Sequence, residues 1–327
     1  MVELIMGILL KDAPAALRAG VSVATPLLVV LLLDRPHWSM YAAFGAFTSL
    51  YGRTRTGRAR FTMQSGAASA LVLAVLLGVL ISVLDDRTWL AVPMAALIAG
   101  AGTALATIAG WHPPGALFLV FAFGAVASVP HHLTDLPAAL GVAAASAAFS
   151  LLVGAVPAPS DPTPSGVRVT LAHAFPASLT CAASALMAGT IATGFGIGHP
   201  YWATVAAVAP LSAQGRSAQL VRAGHRIAGT SAGLVLAAVL LAPGFDPYPA
   251  VAILALLQVA AELVVARNYG LAMLFITPLA LLMNQVAAPR PAADLLWDRG
   301  LETAIGAAVA CAAILTTHHL TKPHPTP

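Results

Sequence analysis

Long, mostly apolar stretches follow one another along nearly the whole of this 327-residue chain, separated only by short polar breaks. A helix that crosses the hydrocarbon core of a bilayer needs about 20 such residues. Charged residues make up only 9% of the sequence, whereas a soluble domain carries about 25%. The sequence therefore predicts an all-α polytopic membrane protein, and an enzyme is not expected.

Twelve stretches are candidate transmembrane helices. They cover residues 15–33, 37–51, 62–83, 88–109, 115–129, 136–156, 172–194, 199–213, 225–242, 249–266, 269–287 and 299–317. The stretches 37–51 and 199–213 are among the shortest, and the second of them contains Pro210. A short or broken helix either crosses the bilayer or turns back as a re-entrant hairpin, so both alternatives stay open for these two segments.

Basic residues are distributed unevenly between the polar breaks. If the N-terminus is cytoplasmic and all twelve stretches cross, twelve of the 16 Lys and Arg residues lie on the cytoplasmic side. This agrees with the preference of Lys and Arg for cytoplasmic loops. We therefore expect a multi-pass protein of the bacterial inner membrane with both termini in the cytoplasm, whose first helix acts as its own signal-anchor.

The two halves of the sequence resemble each other. Residues 35–43 align with 199–207, which places Trp38 over Trp202 at a distance of 164 residues, and further matches follow in the same order. A proline-rich stretch that cannot form a bilayer helix separates the copies. We expect a first six-helix repeat at 1–156, a linker at 157–170 and a second six-helix repeat at 171–327.

The start of the eighth stretch has features of a binding region. Helix N-termini attract anions through free backbone N–H groups, and the guanidinium fork of an arginine matches a carboxylate. This predicts a carboxylate site that includes Tyr201, Trp202 and Arg226. Other interpretations stay open, because Trp202 and its counterpart Trp38 also fit an interfacial aromatic belt, and Arg226 also fits a cytoplasmic anchor.

Charged residues inside spans are further candidates, because a charge is costly in a bilayer. Glu262 lies well inside a span, where it is either a proton carrier for coupled transport or the ion-pair partner of Arg267. Arg299 and Glu302 lie three residues apart at the start of the last helix. They share one helix face and are expected to form an ion pair.

The eleventh stretch also carries polar residues. Asn268 lies where it begins, and Thr277 precedes Pro278 near its middle. A proline inside a helix interrupts the hydrogen-bond ladder and frees a carbonyl group. Such a polar, broken helix is more typical of a transport pathway than of a lipid-facing surface, so Asn268 and Thr277 join the candidate substrate-binding residues.

Several of these residues occur in an order that resembles the fusaric acid resistance protein family. The motifs are Tyr201-Trp202, Pro210, Arg216, Arg226-Ile227-Ala228-Gly229-Thr230, Asn268-Tyr269, Phe275-Ile276-Thr277-Pro278 and Arg299-Gly300-Leu301-Glu302-Thr303-Ala304-Ile305-Gly306. The resemblance is clearest over residues 198–310, and it extends to aromatic acid exporters and, more distantly, to plant aluminium-activated malate transporters. It implies efflux of aromatic or other carboxylic acids, with Arg226 and Arg299 as anion contacts and Glu302 as their partner.

Three functions follow as hypotheses from the sequence. The leading one is a transporter that exports small organic carboxylic acids, and the alternatives are a passive organic-anion channel and a non-transporting membrane subunit. The expected partners are a small organic anion and the lipid bilayer; a homo-oligomer is left open and nucleic acid is not expected. No cofactor or metal is expected, because Cys181 and Cys311 both fall inside predicted spans, where a thiol behaves as a small hydrophobe.

Overall fold

The structure, a computed structural model, describes residues 2–156, 170–244 and 246–321, with side chains described between residues 12 and 317. Its α-helices are α1 Val2–Leu32, α2 Ser39–Ala46, α3 Gly57–Ser82, α4 Arg87–Ile108, α5 Leu117–Ala127, α6 Leu136–Ala155, α7 Leu171–Gly194, α8 Tyr201–Leu211, α9 Arg216–Leu241, α10 Pro247–Val265, α11 Tyr269–Ala287 and α12 Ala292–Thr321. All regular structure in the described ranges is helical, which confirms the all-α prediction. The predicted linker at 157–170 lies, apart from Thr170, outside the described residues.

Nine of the described helices are long and apolar enough to cross a membrane. Large apolar side chains on them face outward, and Leu73, Leu97, Leu152 and Leu256 are each more than half exposed. Contiguous exposed apolar surface is rare on soluble monomers, whereas in a bilayer it meets lipid. The chain is therefore an integral membrane protein.

The other three helices, α2, α5 and α8, are only 8, 11 and 11 residues long. At a rise of 1.5 Å per residue they measure about 12 to 17 Å, roughly half the hydrocarbon thickness of a bilayer. Every residue of α2 and all but the last of α8 are buried. These short helices are therefore interior elements, surrounded by the longer ones.

The chain runs between two ends of the molecule. Arg53, which follows α2, places Nη2 2.9 Å from Oδ1 of Asp12, where the membrane-spanning part of α1 begins, so the chain has returned to the level at which that span begins. We call this the Arg53 end. The opposite end contains Ser82, the last residue of α3, whose hydroxyl lies 3.2 Å from the ring of His131. It also contains His199, which precedes α8, and we call it the His199 end.

The short helices connect these two ends. The residues before α5 lie at the Arg53 end, where the N–H of Gly52 donates to the carbonyl of His112 over 2.9 Å, and those after α5 include His131. Helix α8 begins beside His199 and ends at Leu211, and the next residue, Ser212, places its Cβ 3.1 Å from the position of a Cβ added at Gly115. With their flanking residues, α2, α5 and α8 thus run between the Arg53 end and the His199 end.

The packing of the first six helices recurs in the last six. Helix α1 packs against α10 as α7 packs against α4; α2 packs against α6 as α8 packs against α12; and α3 packs against α5 as α9 packs against α11. The first pair joins the two halves of the chain, and the other two lie within each half. The α5–α8 contact adds a further connection between the halves.

Two glycines bring α9 and α11 into close contact. A Cβ added at Gly229 would collide with the carbonyl oxygen of Gly270, and one added at Gly233 would lie 2.7 Å from the Cβ of Thr277. Small residues at such positions let helix backbones approach in membranes. This contact places Arg226, one turn before Gly229, beside the start of α11.

Candidate functional site

A cavity of about 400 Å³ lies between the two halves of the chain. It begins at the Arg53 end, with Arg53, Thr54 and His112 in its wall, and extends inward to Arg226 and Arg299. By residue count, Arg226 lies about 15 Å along α9 from the Arg53 end, and Arg299 about 10 Å along α12 from the other end. The deep part of this cavity, which we call the arginine cavity, is therefore near the middle of the molecule.

The wall of the arginine cavity is strongly basic. Four guanidinium groups line it, and the single carboxylate in its wall is that of Glu262. The four cationic residues are Arg53, Arg222, Arg226 and Arg299. A concave surface of one charge sign with low-dielectric walls concentrates ions of the opposite sign, so this cavity attracts anions.

Arg226 is buried, with 2% of its surface exposed. Its Nη1 donates a hydrogen bond of 2.7 Å to the hydroxyl of Tyr269, while its Nε has no hydrogen-bond partner among the described residues. The guanidinium of Arg222, one turn earlier on α9, lies 4.1 Å from the centre of the Tyr269 ring. Tyr269 therefore orients both arginines without neutralising either.

Arg299 is equally buried, at 2% exposure. Its guanidinium lies 5.2 Å from the centre of the Trp202 ring, and Arg226 is one of its charged neighbours. Across the described part of the chain, no carboxylate lies within ion-pair distance of Arg226 or Arg299. Two like charges thus face a common cavity, and the carboxylate of Glu302 acts on Arg299 only from beyond ion-pair distance.

The predicted ion pair between Arg299 and Glu302 is wrong. The carboxylate of Glu302, which is fully buried, accepts hydrogen bonds from the backbone N–H of His199 at 3.2 Å and of Ala203 at 3.1 Å. These donors belong to the N-terminal turn of α8, which therefore has its own internal carboxylate. That turn is not free to receive a ligand, and Glu302 does not line the arginine cavity.

Trp202 also lies outside the cavity wall. It is fully buried, and the ring of His199 stacks on it with centroids 4.6 Å apart and planes 19° apart. A side chain in this position does not belong to an interfacial belt. Trp202 is instead the support beneath the guanidinium of Arg299.

Glu262 has a different partner from the predicted Arg267. Its Oε2 lies 3.1 Å from Nη1 of Arg53, and Gln258, one turn earlier, donates to Oε1 over 3.4 Å. Arg267 pairs instead with Asp12, which also binds Arg53. Glu262 therefore lies in the cavity wall as part of an ion-pair network that joins the two halves.

Three further sequence candidates lie away from the arginine cavity. Asn268 is exposed and caps α11, accepting a hydrogen bond of 3.0 Å from the N–H of Leu271. Thr277 is fully buried against Gly233. Trp38 is half-buried at the His199 end, where the guanidinium of Arg35 lies 5.6 Å from its ring centre.

Tyr201 lines a second cavity, of about 320 Å³, among α4, α5, α7 and α8 toward the His199 end. Its hydroxyl accepts a hydrogen bond of 2.9 Å from Nδ2 of Asn284. Its ring stacks on Phe121 with centroids 6.1 Å apart, and Phe121 lines the arginine cavity. We call this second space the far cavity, because the Phe121–Tyr201 pair lies between it and the arginine cavity.

Several residues of the arginine cavity escaped the sequence analysis. Phe47, Phe118 and Phe121 form an aromatic part of its wall, and Tyr269 holds its arginines. Phe118 and Phe121 stand three apart near the start and middle of the short α5, a spacing that places two rings near one another on a helix. Arg53 lies in a polar break between apolar stretches, where a basic residue predicts a cytoplasmic loop and not a cavity wall.

A buried polar group closes the His199 end of α8. Nδ1 of His199 lies 3.3 Å from Asp298, and its Nε2 lies 3.1 Å from Nη1 of Arg290. A neutral ring with its proton on Nδ1 donates to Asp298 and accepts from Arg290.

The family comparison covers the half of the chain that supplies most of this geometry. Residues 185–313 match the family model described as fusaric acid resistance protein-like, a segment that contains Trp202, Arg226, Glu262 and Arg299. No curated protein and no solved structure matches the chain. The resemblance drawn from the motifs is therefore confirmed: residues 185–313 of this membrane protein are similar to the fusaric acid resistance protein-like family.

Proposed function

We propose that this protein is a transporter that exports small organic carboxylic acids, aromatic acids among them. The family indicates a membrane transport or resistance function. The observation that supports the finer statement is the pair of buried guanidinium groups of Arg226 and Arg299, which face one cavity and have no carboxylate of the described residues within ion-pair distance.

Buried charge favours an anionic ligand at this place. An unpaired ion in a low-dielectric interior is costly, and a second ion of the same sign nearby adds repulsion. A carboxylate placed between Arg226 and Arg299 removes both penalties and accepts charge-assisted hydrogen bonds. The unpartnered Nε atoms of the two arginines are donors still available within the described structure.

Aromatic lining favours an aromatic substrate. Phe47, Phe118 and Phe121 belong to the first-half wall, opposite the arginines supplied by the second half. Aromatic pairs contribute about 0.5 to 1.5 kcal/mol beyond the area that they bury. A flat acid could therefore place its carboxylate at the arginines and its ring against the phenylalanines.

The proposed architecture has twelve crossings, formed by two six-helix repeats at 1–156 and 171–327 around the linker 157–170. The recurring helix contacts support the repeat, and the return of Arg53 to Asp12 supports a crossing by the short α2 segment. Arginine enrichment at the Arg53 end supports an orientation in which that end and both termini face the cytoplasm, in a bacterial inner membrane. The arginine cavity then loads its substrate from the cytoplasm.

A transport assay with purified protein in vesicles tests this function. We expect saturable efflux of preloaded 4-hydroxybenzoate above the leak of protein-free vesicles, and a loss of at least about tenfold in Arg226→Gln or Arg299→Gln, since a charged hydrogen bond contributes about 1.5 to 3 kcal/mol. Arg216→Gln is the matched control, because Arg216 begins the same helix, is exposed and does not line the cavity.

The same assay separates the alternatives. A pH gradient and an imposed membrane potential are varied independently, because a channel passes current at fixed pH whereas a proton-coupled carrier responds to the gradient. Absence of efflux of every acid in a carboxylate panel, from well-folded wild-type protein, would contradict the transporter and favour the non-transporting subunit.

A further inference from the structure

The α5–α8 pair is a wall shared by two cavities. Along α5, Phe121 lines the arginine cavity and Phe123 the far cavity; along α8, Val205 lines the first and Thr204 the second. Neighbouring positions on the same helices thus face different spaces. The barrier between the cavities is one layer of side chains.

The centre of this wall is the Phe121–Tyr201 stack, with planes 20° apart. A Cβ added at Gly124, one turn after Phe121, would collide with the Cβ of Tyr201, so the glycine is what lets α8 approach α5 here. On its other side, Tyr201 is fixed by the hydrogen bond from Asn284. The stack is thus held by one backbone contact and one side-chain contact.

The far cavity has binding groups of its own. Arg87, at the start of α4, lines it and is half-buried, and among the described residues it has no ion-pair partner. Asp85 and Asp86 precede it but do not line the cavity. Thr193 contributes a buried hydroxyl without a hydrogen-bond partner in the described structure, and only 8% of the residue is exposed.

We propose that the far cavity is a second binding site for the transported carboxylate, from which the acid is released at the His199 end, with Arg87 as its cation and Thr193 as a hydroxyl donor. The Phe121–Tyr201 stack is the gate between the two sites. This proposal rests on the function proposed above, since it gives the exported acid a place on each side of one barrier.

The gate explains how a single wall keeps the sites separate. While the rings are stacked, a carboxylate at Arg226 and Arg299 has no continuous path to Arg87. Because α5 and α8 are short, buried helices that come from different halves of the chain, a small rotation of one half against the other would part the rings. Alternation between sites by such rigid-body movement is the usual behaviour of repeat transporters.

Cysteine protection tests the second site independently of transport. Thr193→Cys is made in a Cys181→Ala/Cys311→Ala background, and the rate of labelling by a cationic methanethiosulfonate is measured on purified protein with and without 4-hydroxybenzoate. We expect labelling that the acid slows several-fold. Arg87→Gln should abolish this protection, whereas Arg35→Gln, an exposed arginine at the same end outside the cavity, should preserve it.

Each result bears on the proposal. A cysteine that is not labelled, or labelling that the acid does not slow, would overturn the second site, as would protection that survives Arg87→Gln. Adding Arg299→Gln to the Thr193→Cys protein separates the two proposals. Protection of the cysteine at position 193 should persist in this variant, because it depends on Arg87. If the acid protects the cysteine but the wild-type protein shows no efflux, the result would support the second site and contradict the transport function.

Passive leak tests the gate. Phe121→Ala should raise unsaturable efflux of 4-hydroxybenzoate at zero gradient by several-fold, because removing the ring joins the cavities. Phe118→Ala is the control, since Phe118 lines the arginine cavity one turn away and has no ring contact with Tyr201 in the structure. Equal leak in the two variants, with both proteins folded, would overturn the gate.

Discussion

The guanidinium of Arg299 lies over the ring of Trp202, 5.2 Å from its centre, and both side chains are almost entirely removed from solvent. A desolvated cation–π contact of this kind contributes about 2 kcal/mol or more. The contact holds a positive charge in the protein interior without cancelling it. Trp202 thereby leaves the charge of Arg299 available to an anion in the cavity.

Replacement of Trp202 should therefore weaken anion binding. Trp202→Phe keeps a ring but reduces the contact, and we expect affinity for 4-hydroxybenzoate to fall several-fold, with a smaller further loss in stability from the volume removed. Isothermal titration and thermal unfolding in detergent measure the two effects. Trp297→Phe, at a position on α12 that is 72% exposed, should change neither. A Trp202 variant that loses stability but keeps full affinity would contradict the role given to the indole.

Glu302 should be needed for stability more than for substrate contact. Glu302→Ala leaves the backbone N–H groups of His199 and Ala203 unpaired in the interior, at a cost of about 1 to 3 kcal/mol each. Glu302→Gln retains one acceptor oxygen and should lose less. Thermal unfolding ranks the variants, with the exposed Asp294→Asn on α12 as control; a Glu302→Ala protein as stable as wild type would refute the capping role.

The Arg53–Glu262 pair should show strong coupling in a double-mutant cycle. Arg53→Gln leaves the carboxylate of Glu262 largely buried without its ion-pair partner, and breaking such a pair costs about 3 to 5 kcal/mol. The double variant Arg53→Gln/Glu262→Gln should recover much of that loss. If the two single changes simply add, the pair makes no mutual contribution and the network described here is incidental.

The Glu262→Gln variant also tests whether Glu262 is a proton carrier. A transporter that depends on titration of Glu262 loses its response to a pH gradient in Glu262→Gln while retaining exchange of labelled for unlabelled acid. An unchanged response to the pH gradient in this variant would exclude Glu262 as the proton carrier and leave it the role of ion-pair partner to Arg53.

Much of the fold could be predicted from the sequence because membrane helices are specified locally. Nine apolar stretches correspond to helices long enough to cross a bilayer, and their positions follow from the transfer free energy of consecutive residues. The length of α5 could not be predicted in this way. Its apolar residues are buried against other helices, and apolar content alone does not distinguish such a segment from one in lipid.

The site was predicted only in part. Arg226 was a candidate because a guanidinium group matches a carboxylate, and the family resemblance implied both Arg226 and Arg299 as anion contacts. Their neighbours did not stand out: Tyr269 binds Arg226 from 43 positions along the chain, and Phe121 reaches Tyr201 across the α5–α8 contact. Asn268 and Thr277 were predicted to line a transport pathway because they are polar. In the structure, Asn268 caps α11 and Thr277 packs against Gly233.

The amino-acid sequence predicts a helical, membrane-embedded chain whose basic residues are distributed unevenly between its polar breaks, since these properties sum over neighbouring residues. Which charges meet, in contrast, follows from the way the helices pack. Glu262 binds Arg53 across 209 positions of sequence rather than the nearby Arg267, and Glu302 binds the start of α8 rather than Arg299. Partner choice depends on the distance and register between packed helices, which the chain sets only when both halves have folded together.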